Sequence, residues 1–495
     1  MTVRSLRAML ATALLASLAL PAAAVASPTQ LTGIADENVL EGNLSPSLLA
    51  GGAEPIVQQW KAAGVQDVRT FAQWDKLAPL PDDINAPAGF DASNPASYNF
   101  TLLDSKIDMI LRNGMTPTLV ISGPGPVWGS SQPARRRRDS FPDPKKFGEF
   151  AKAVATHVAD RVERYIVWNE PNVATWLKPQ NTCNSAGNCA PSAPHLYREL
   201  AREGYSAIHA ADKTARVAIG GTSSLGNRNL AGRNTTIQPL TFLRTMACVD
   251  SKYRPIKTGS CRNFKPLSAE ALSYHPHSQA FSPGKKDPDT NNARMADLSR
   301  LTAVIDKLAA KKRIKVNGAK KLPLWLDEYA YETRPDPNPS LPSQSTAATW
   351  SQWGWSIAAR NPRVQILTQY VWFDEAPTDT SGGRWDRWQA GLFTVDGKAK
   401  PLQRVFSHPI FGWRTSKSAH VWGQVRTTSE PTTVQLQRRN GTSGAYRNYK
   451  QVKTNRNGIF QVKVPSSAKV RYRFQYTDPA GATRTSAVTT LRKTS

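Results

Sequence analysis

Acidic side chains are scarce in this chain: 37 Asp and Glu stand against 64 Lys and Arg, a formal net charge of +27. Such a surface attracts anionic polymers. Zinc-finger, homeodomain and RNA-recognition motifs are all missing, which argues against nucleic acid as the partner. Cysteine is scarce too, with four residues in 495. The spacing of the four does not suit zinc and no histidine stands beside either pair, so no metal site is expected there. Beyond the first 26 residues no apolar run is long enough to span a bilayer. No Gly-x-Gly-x-x-Gly turn follows the first strand, which argues against an open dinucleotide-binding sheet. Neither a metal nor a cofactor is expected.

What is present begins with an export signal. Arg4 and Arg7 precede the apolar run Ala8 to Leu20, and Ala24-Val25-Ala26 supplies small residues for cleavage. Residues 1–26 therefore read as a secretory leader, and the mature protein as extracellular. In that compartment the cysteines are expected to pair as neighbours, Cys183 with Cys189 and Cys248 with Cys261, each pair stapling one loop.

From about residue 30 to 410, short β-type runs alternate with amphipathic helical segments. The expected strands are 31–35, 65–71, 116–122, 165–168, 217–220, 271–274, 322–326 and 364–371. Between them Leu103, Ile107 and Ile110, then Phe147, Phe150, Val154 and Val158, recur at helical spacing. Eight strands, each with a candidate helix, predict an α/β fold closed as a (β/α)8 TIM barrel over residues 27–412. Residues 413–495 change character. Short alternating runs separated by Gly, Asn, Ser and Pro turns predict a small antiparallel β-sandwich of immunoglobulin-like size. From Arg414 onward, 16 basic residues face only Glu430 and Asp478.

Barrel enzymes carry reacting groups at the C-terminal ends of their strands. Two carboxylates sit there: Glu170 in Tyr165-Ile-Val-Trp-Asn-Glu-Pro-Asn172, and Glu328 in Leu324-Trp-Leu-Asp-Glu-Tyr329. Glycoside hydrolysis needs such a pair, one to protonate the leaving oxygen and one to attack the anomeric carbon. Strand alternation would turn the neighbouring Asp327 away from the mouth. Trp74, Trp128, Trp176, Trp385 and Trp388 fall in loop-like segments, where an indole either stacks on a sugar face or fills the core.

The Asn-Glu-Pro motif on the fourth strand, with a Glu closing the seventh, resembles glycoside hydrolase clan A and is similar to its families 5 and 39. The resemblance covers roughly residues 30 to 410. It implies a (β/α)8 barrel that retains anomeric configuration, with Glu170 as acid/base and Glu328 as nucleophile. It further implies that Asn169 binds the sugar 2-hydroxyl, Arg69 stands near the nucleophile and Trp372 floors the sugar site. His275 matches the His of a His-x-Tyr arrangement, and His277 stands where a Tyr is expected. The implied partner is carbohydrate, with an acidic polysaccharide or cell-wall polymer suited to the charge. Endo-β-glycanase, β-xylosidase-like and arabinofuranosidase-like activities are not separable at this level. The competing reading is a catalytically silent carbohydrate- or cell-wall-binding protein.

Overall fold

The computed structural model describes residues 30–334, 338–377 and 387–494. The expected leader and Trp385 lie outside the described residues. Eight parallel strands close a barrel in chain order: β1 (Leu31–Ala35), β2 (Asp67–Gln73), β3 (Thr116–Ser122), β4 (Arg164–Val167), β5 (Arg216–Ser223), β6 (Ala271–His275), β7 (Leu324–Tyr329) and β8 (Val364–Tyr370). Closure runs through β1 and β8, where Leu31 pairs with Ile366 and Ala35 with Tyr370. Val120, Ile166, Ala218, Ala271, Trp325 and Ile366, one from each of β3 to β8, form their own buried cluster. Packed layers of this kind fill a barrel interior, leaving its mouth as the accessible end.

The surrounding helices follow from their sequences. Thr101–Arg112 buries Leu103, Ile107 and Ile110 on one face and ends at Asn113, with Gly114 at φ 66°. That left-handed conformation suits glycine and stops the helix. Pro144–Val158 starts where the Asp143 side chain accepts from the Lys145 and Lys146 amides, and it buries Phe147, Phe150, Val154 and Val158. No helix of the described residues is long and apolar enough to cross a membrane. Both expected disulfides are present, Cys183–Cys189 and Cys248–Cys261.

The C-terminal module comprises β9 (Ile410–Arg414), β10 (Ala419–Gln424), β11 (Thr433–Asn440), β12 (Arg447–Lys453), β13 (Ile459–Val464), β14 (Val470–Thr477), β15 (Thr483–Thr485) and β16 (Thr489–Lys493). Its strand order is β12-β11-β14-β16-β9-β10-β13, with β15 beside β14. Pairing is antiparallel except between β9 and β16. The last strand joins two layers, β9-β10-β13 and β11-β12-β14, around Val421, Val434, Leu436, Phe460, Tyr472 and Phe474. β9 straddles the expected boundary at 412.

The first layer sits on the barrel. Phe411 stacks on Trp353 of helix Gln344–Ala359, ring centroids 5.3 Å apart. Trp413, Trp422 and Ile459 join the barrel's own core. Arg426 is buried with its guanidinium 4.2 Å from the Trp355 ring and 4.6 Å from the Phe406 ring. A Cβ at Gly64 would lie 2.3 Å from the Arg426 carbonyl, and Gly64 has φ 95°. Only glycine meets both demands where helix Glu54–Ala63 ends against the module.

Candidate active site

The chain leaving β4 is gripped from both neighbouring strands. The Trp168 amide donates to the Ile121 carbonyl, Asn169 to the Ser122 hydroxyl and Glu170 to the Gly221 carbonyl. Trp168 and Glu170 adopt positive φ, 69° and 36°. For residues with a Cβ each such conformation costs about 1–3 kcal/mol and persists only where the surroundings fix it. Here the three hydrogen bonds do so, aiming the Glu170 side chain at the barrel mouth.

β7 supplies the opposite wall. Its register against β8 shifts between Leu326 and Tyr329. A pleat interrupted in this way can send two successive side chains toward the same region, and both Asp327 and Glu328 reach the central cluster. The expectation that Asp327 would turn away is therefore corrected. Its Oδ2 accepts from Arg69 Nε at 2.9 Å, and its Oδ1 accepts from the Ser273 hydroxyl at 2.6 Å and the Tyr274 amide at 3.1 Å.

Arg69 and His275 knit these carboxylates together. Arg69 is buried and directs Nη1 to Glu328 Oε1 at 3.0 Å and Nη2 to Asn169 Oδ1 at 2.5 Å. His275, at the end of β6, is also buried. Its Nε2 lies 3.3 Å from Asp327 Oδ2, and its Nδ1 lies 3.0 Å from Glu170 Oε1 and 3.6 Å from Glu328 Oε2. The two glutamate oxygens therefore cannot be further apart than the sum of the last two distances, about 6.6 Å. His277 approaches Glu328 Oε2 through Nε2 at 3.6 Å, occupying the side of that carboxylate opposite Arg69's contact atom.

Burial alone would lower the His275 imidazole, but the Glu328 and Asp327 anions outweigh it and push the ring up to about 10. Burial would likewise raise the two carboxyls. The His275 and Arg69 cations prevail, holding Glu328 at about 2 and, helped by hydrogen bonds, Asp327 at about 2. The cluster at neutral pH is thus an imidazolium and a guanidinium facing two carboxylates. Charges buried this deeply are tolerated only because each is paired.

The structure brings Arg69, Asn169, Glu170, His275, His277 and Glu328 together. Trp372 is not among them, and its expected place at the sugar floor is corrected. β8 ends at Tyr370, and Asp36 accepts from the Trp372 and Phe373 amides, at 2.9 and 3.1 Å. The indole is thereby set among Trp60, Phe393 and Phe406 in the packing layer. Tyr370 faces the site instead. Its hydroxyl donates to Glu375 Oε1 at 3.2 Å, and Glu375 Oε2 accepts from the Trp388 amide at 3.1 Å. The Trp388 ring lies 5.0 Å from His277 and 5.8 Å from Tyr370. Trp176 stacks flat on Phe71, 5.7 Å away, and Phe71 carries the Arg69 guanidinium at 4.7 Å. Trp74 and Trp128 fill the core beside Phe147, Phe150 and Phe90. Tyr370 and Glu375 were not anticipated. Tyr370 has the same strand parity as Ile366, which lies in the barrel interior, and that parity was the available signal.

A cleft of about 590 Å³ opens beside the pair, lined by Glu170, His277, Trp388, Asn227, Phe281 and Lys285 among others. A groove of about 690 Å³ beneath helix Leu298–Ala310 has one carboxylate, Asp306, already paired with Arg363 and Lys321. Of these two, the first cleft alone is lined by a member of the acid pair, Glu170. His275, His277 and Glu328 also have metal-ligand chemistry. Both His275 nitrogens also face carboxylates, Glu170 and Asp327.

No family model matches this chain, and no curated protein matches it. Among solved structures it is similar to a family 39 glycoside hydrolase from Bacteroides cellulosilyticus, at 13% identity and TM-score 0.49 over 88% of this chain and 81% of that one. It is also similar to a glucosidase from Croceicoccus marinus, at 13% identity and TM-score 0.48 over 90% and 95%. A third is xylanase 10B from Thermotoga petrophila, at 15% identity and TM-score 0.42 over 76% and 92%. The likenesses are remote; the barrel itself is defined by the strand pairing.

Proposed function

We propose that this chain is a secreted, retaining glycoside hydrolase acting on O-glycosidic bonds of a polysaccharide or glycoconjugate. The observation that carries the reading is the convergence of Glu170 and Glu328, from β4 and β7, on one His275 nitrogen at 3.0 and 3.6 Å. Retaining enzymes set their carboxyl groups about 5–5.5 Å apart, whereas inverting ones need about 6.5–9.5 Å to admit a water. An upper limit of about 6.6 Å between the facing oxygens favours the first arrangement.

In this reading Glu328, held ionised by Arg69 and His275, attacks the anomeric carbon as the bond to the leaving oxygen breaks. Glu170 gives its proton to that oxygen. It then removes a proton from water, which attacks the anomeric carbon, breaks the glycosyl–Glu328 bond and restores both acids. Asn169, oriented by Arg69, is the donor for the sugar 2-hydroxyl. Trp388 and Trp176 supply aromatic faces around the mouth. The leader over residues 1–26 and the two loop disulfides support export. The positive charge favours a glycan bearing carboxylates or other anions.

The test is hydrolysis of an aryl-glycoside and glycan panel by wild type and Glu328→Gln, with the first-formed anomer followed by NMR. Turnover with retained configuration, reduced by several orders of magnitude in the variant, is expected. An inverted first product would overturn the mechanism. An inert wild type that binds glycans would establish the silent-binder alternative.

A further inference from the structure

The module's outward layer carries a face that the proposed reaction does not use. From strands β11 and β14, Val434, Leu436, Tyr472 and Phe474 enter the module core. Their neighbours point to the other side, Gln435, Gln437 and Arg439 from β11 and Arg471, Arg473 and Gln475 from β14. Register places Arg439 opposite Arg471, Gln437 opposite Arg473 and Gln435 opposite Gln475. Three guanidiniums therefore share one flat patch, and among the described residues none of them pairs with a carboxylate.

The patch is ordered by its own contacts. The Tyr446 ring, from the β11–β12 turn, lies 4.7 Å from the Arg439 guanidinium carbon and 4.1 Å from that of Arg473. Arg473 Nε donates to Gln437 Oε1 at 2.8 Å. The Gln437 amide in turn donates to Gln475 at 2.9 Å and to Asn448 at 3.0 Å. The Tyr446 hydroxyl is shielded from solvent and has no hydrogen-bond partner. Like charges held side by side on a sheet repel one another, and no carboxylate of the described residues pairs with them. The opposite layer of the module is the one that packs on the barrel, through Phe411, Trp413 and Trp422.

We infer that this outward face binds an anionic glycan, its guanidiniums taking carboxylate or sulfate groups. Guanidinium forks match planar carboxylates and sulfates with charge-assisted, two-pronged hydrogen bonds. A single-stranded nucleic acid would call for free aromatic platforms, whereas the Tyr446 ring has arginines within 4.7 and 4.1 Å. The choice of glycan as occupant rests on the proposed hydrolase reading; the basic face does not.

The experiment uses the full chain in the Glu328→Gln background, so that binding is read without hydrolysis. Affinity electrophoresis through polygalacturonate and through heparin is run against neutral xylan, single-stranded DNA and vesicles of anionic phospholipid. Arg439→Gln/Arg471→Gln/Arg473→Gln is compared with an equal-charge control, Lys417→Gln/Arg456→Gln/Lys463→Gln. Expected is retardation by at least one anionic glycan, weakened about tenfold or more in the first triple variant and little changed in the control. Raising the salt should abolish it. Equal loss in both triple variants would overturn the inference by reducing the effect to net charge. Tighter binding to DNA or vesicles than to either anionic glycan, or no retardation at all, would overturn it as well. Retained hydrolysis by wild type in any of those cases leaves the catalytic reading standing, so the two can fail separately.

Discussion

Replacing His275 by glutamine tests whether a buried imidazolium ties the site together. An unfolded histidine titrates near 6.5, and the anions around His275 hold the folded ring at about 10 in spite of burial. Between those values the folded state keeps a proton that the unfolded chain has released. Stability should therefore fall by about 1.4 kcal/mol per pH unit across that window, with a ceiling of about 5 kcal/mol. The sign follows from the direction of the shift: the contribution is complete below pH about 6.5 and is lost as pH rises through about 10. Glu328 and Asp327, both held at about 2, contribute in the opposite sense, above their unfolded values, and lose it as pH falls through about 2. The same ion pairs underlie all three shifts, so the contributions are not additive. Urea denaturation of wild type and His275→Gln at pH 7 and pH 9 reads the effect. The stability difference should shrink by about 2–3 kcal/mol over those two units. A difference that stays constant would mean that His275 is neutral in the folded protein, and the charge arrangement argued above would fall with it.

Glu170→Gln should slow substrates with poor leaving groups far more than activated aryl glycosides, which depart without a proton donor; added azide should restore turnover of the activated ones, because it attacks the glycosyl-enzyme without the general base that water needs. Competition kinetics on a leaving-group series checks it. Arg69→Met leaves two buried carboxylates sharing only the His275 cation and should cost about 3–5 kcal/mol in chemical denaturation; a smaller loss would mean the cluster relaxes around the gap. Truncation before Ile410 should give aggregating protein, since it bares Trp353 and Trp355; a soluble, monomeric barrel on size-exclusion chromatography would refute that.

Parallel strands buried on both faces read as short apolar runs, and for that reason the barrel was visible in the sequence, β1 and β3 to the residue. The paired glutamates were legible because each closes such a run. Asp327 was misplaced because alternation assumes an unbroken pleat, and the register shift after Leu326 breaks it. Trp372 drew attention as an indole at a strand end; what sets its direction is Asp36, distant in sequence, capturing its amide. β12 carries no comparable signal. Arg-Asn-Tyr-Lys-Gln-Val-Lys is an edge strand exposed along most of its length, so no apolar stripe marks it.

Charge pairs by themselves do not mark a site in this barrel. At the opposite end, Asp67 on β2 accepts from Arg164 on β4 at 3.1 Å and from Thr118 at 2.8 Å. That group is as buried and as well connected as the one at the mouth. Its carboxyl is raised by burial more than Arg164 can lower it, whereas Glu328 is held far below the ordinary range. The difference lies in access and in number. Asp67 is 1% exposed and has one cation, while Glu170 and Glu328, around a shared imidazole, keep 18% and 11% of their side chains exposed. At the strands' N-terminal ends one cation thus faces Asp67, whereas at their C-terminal ends two cations hold both Asp327 and Glu328 ionised. A reading of this fold that weighs only pairing would rank the two ends alike; weighing direction along the strand and exposure separates scaffold from chemistry.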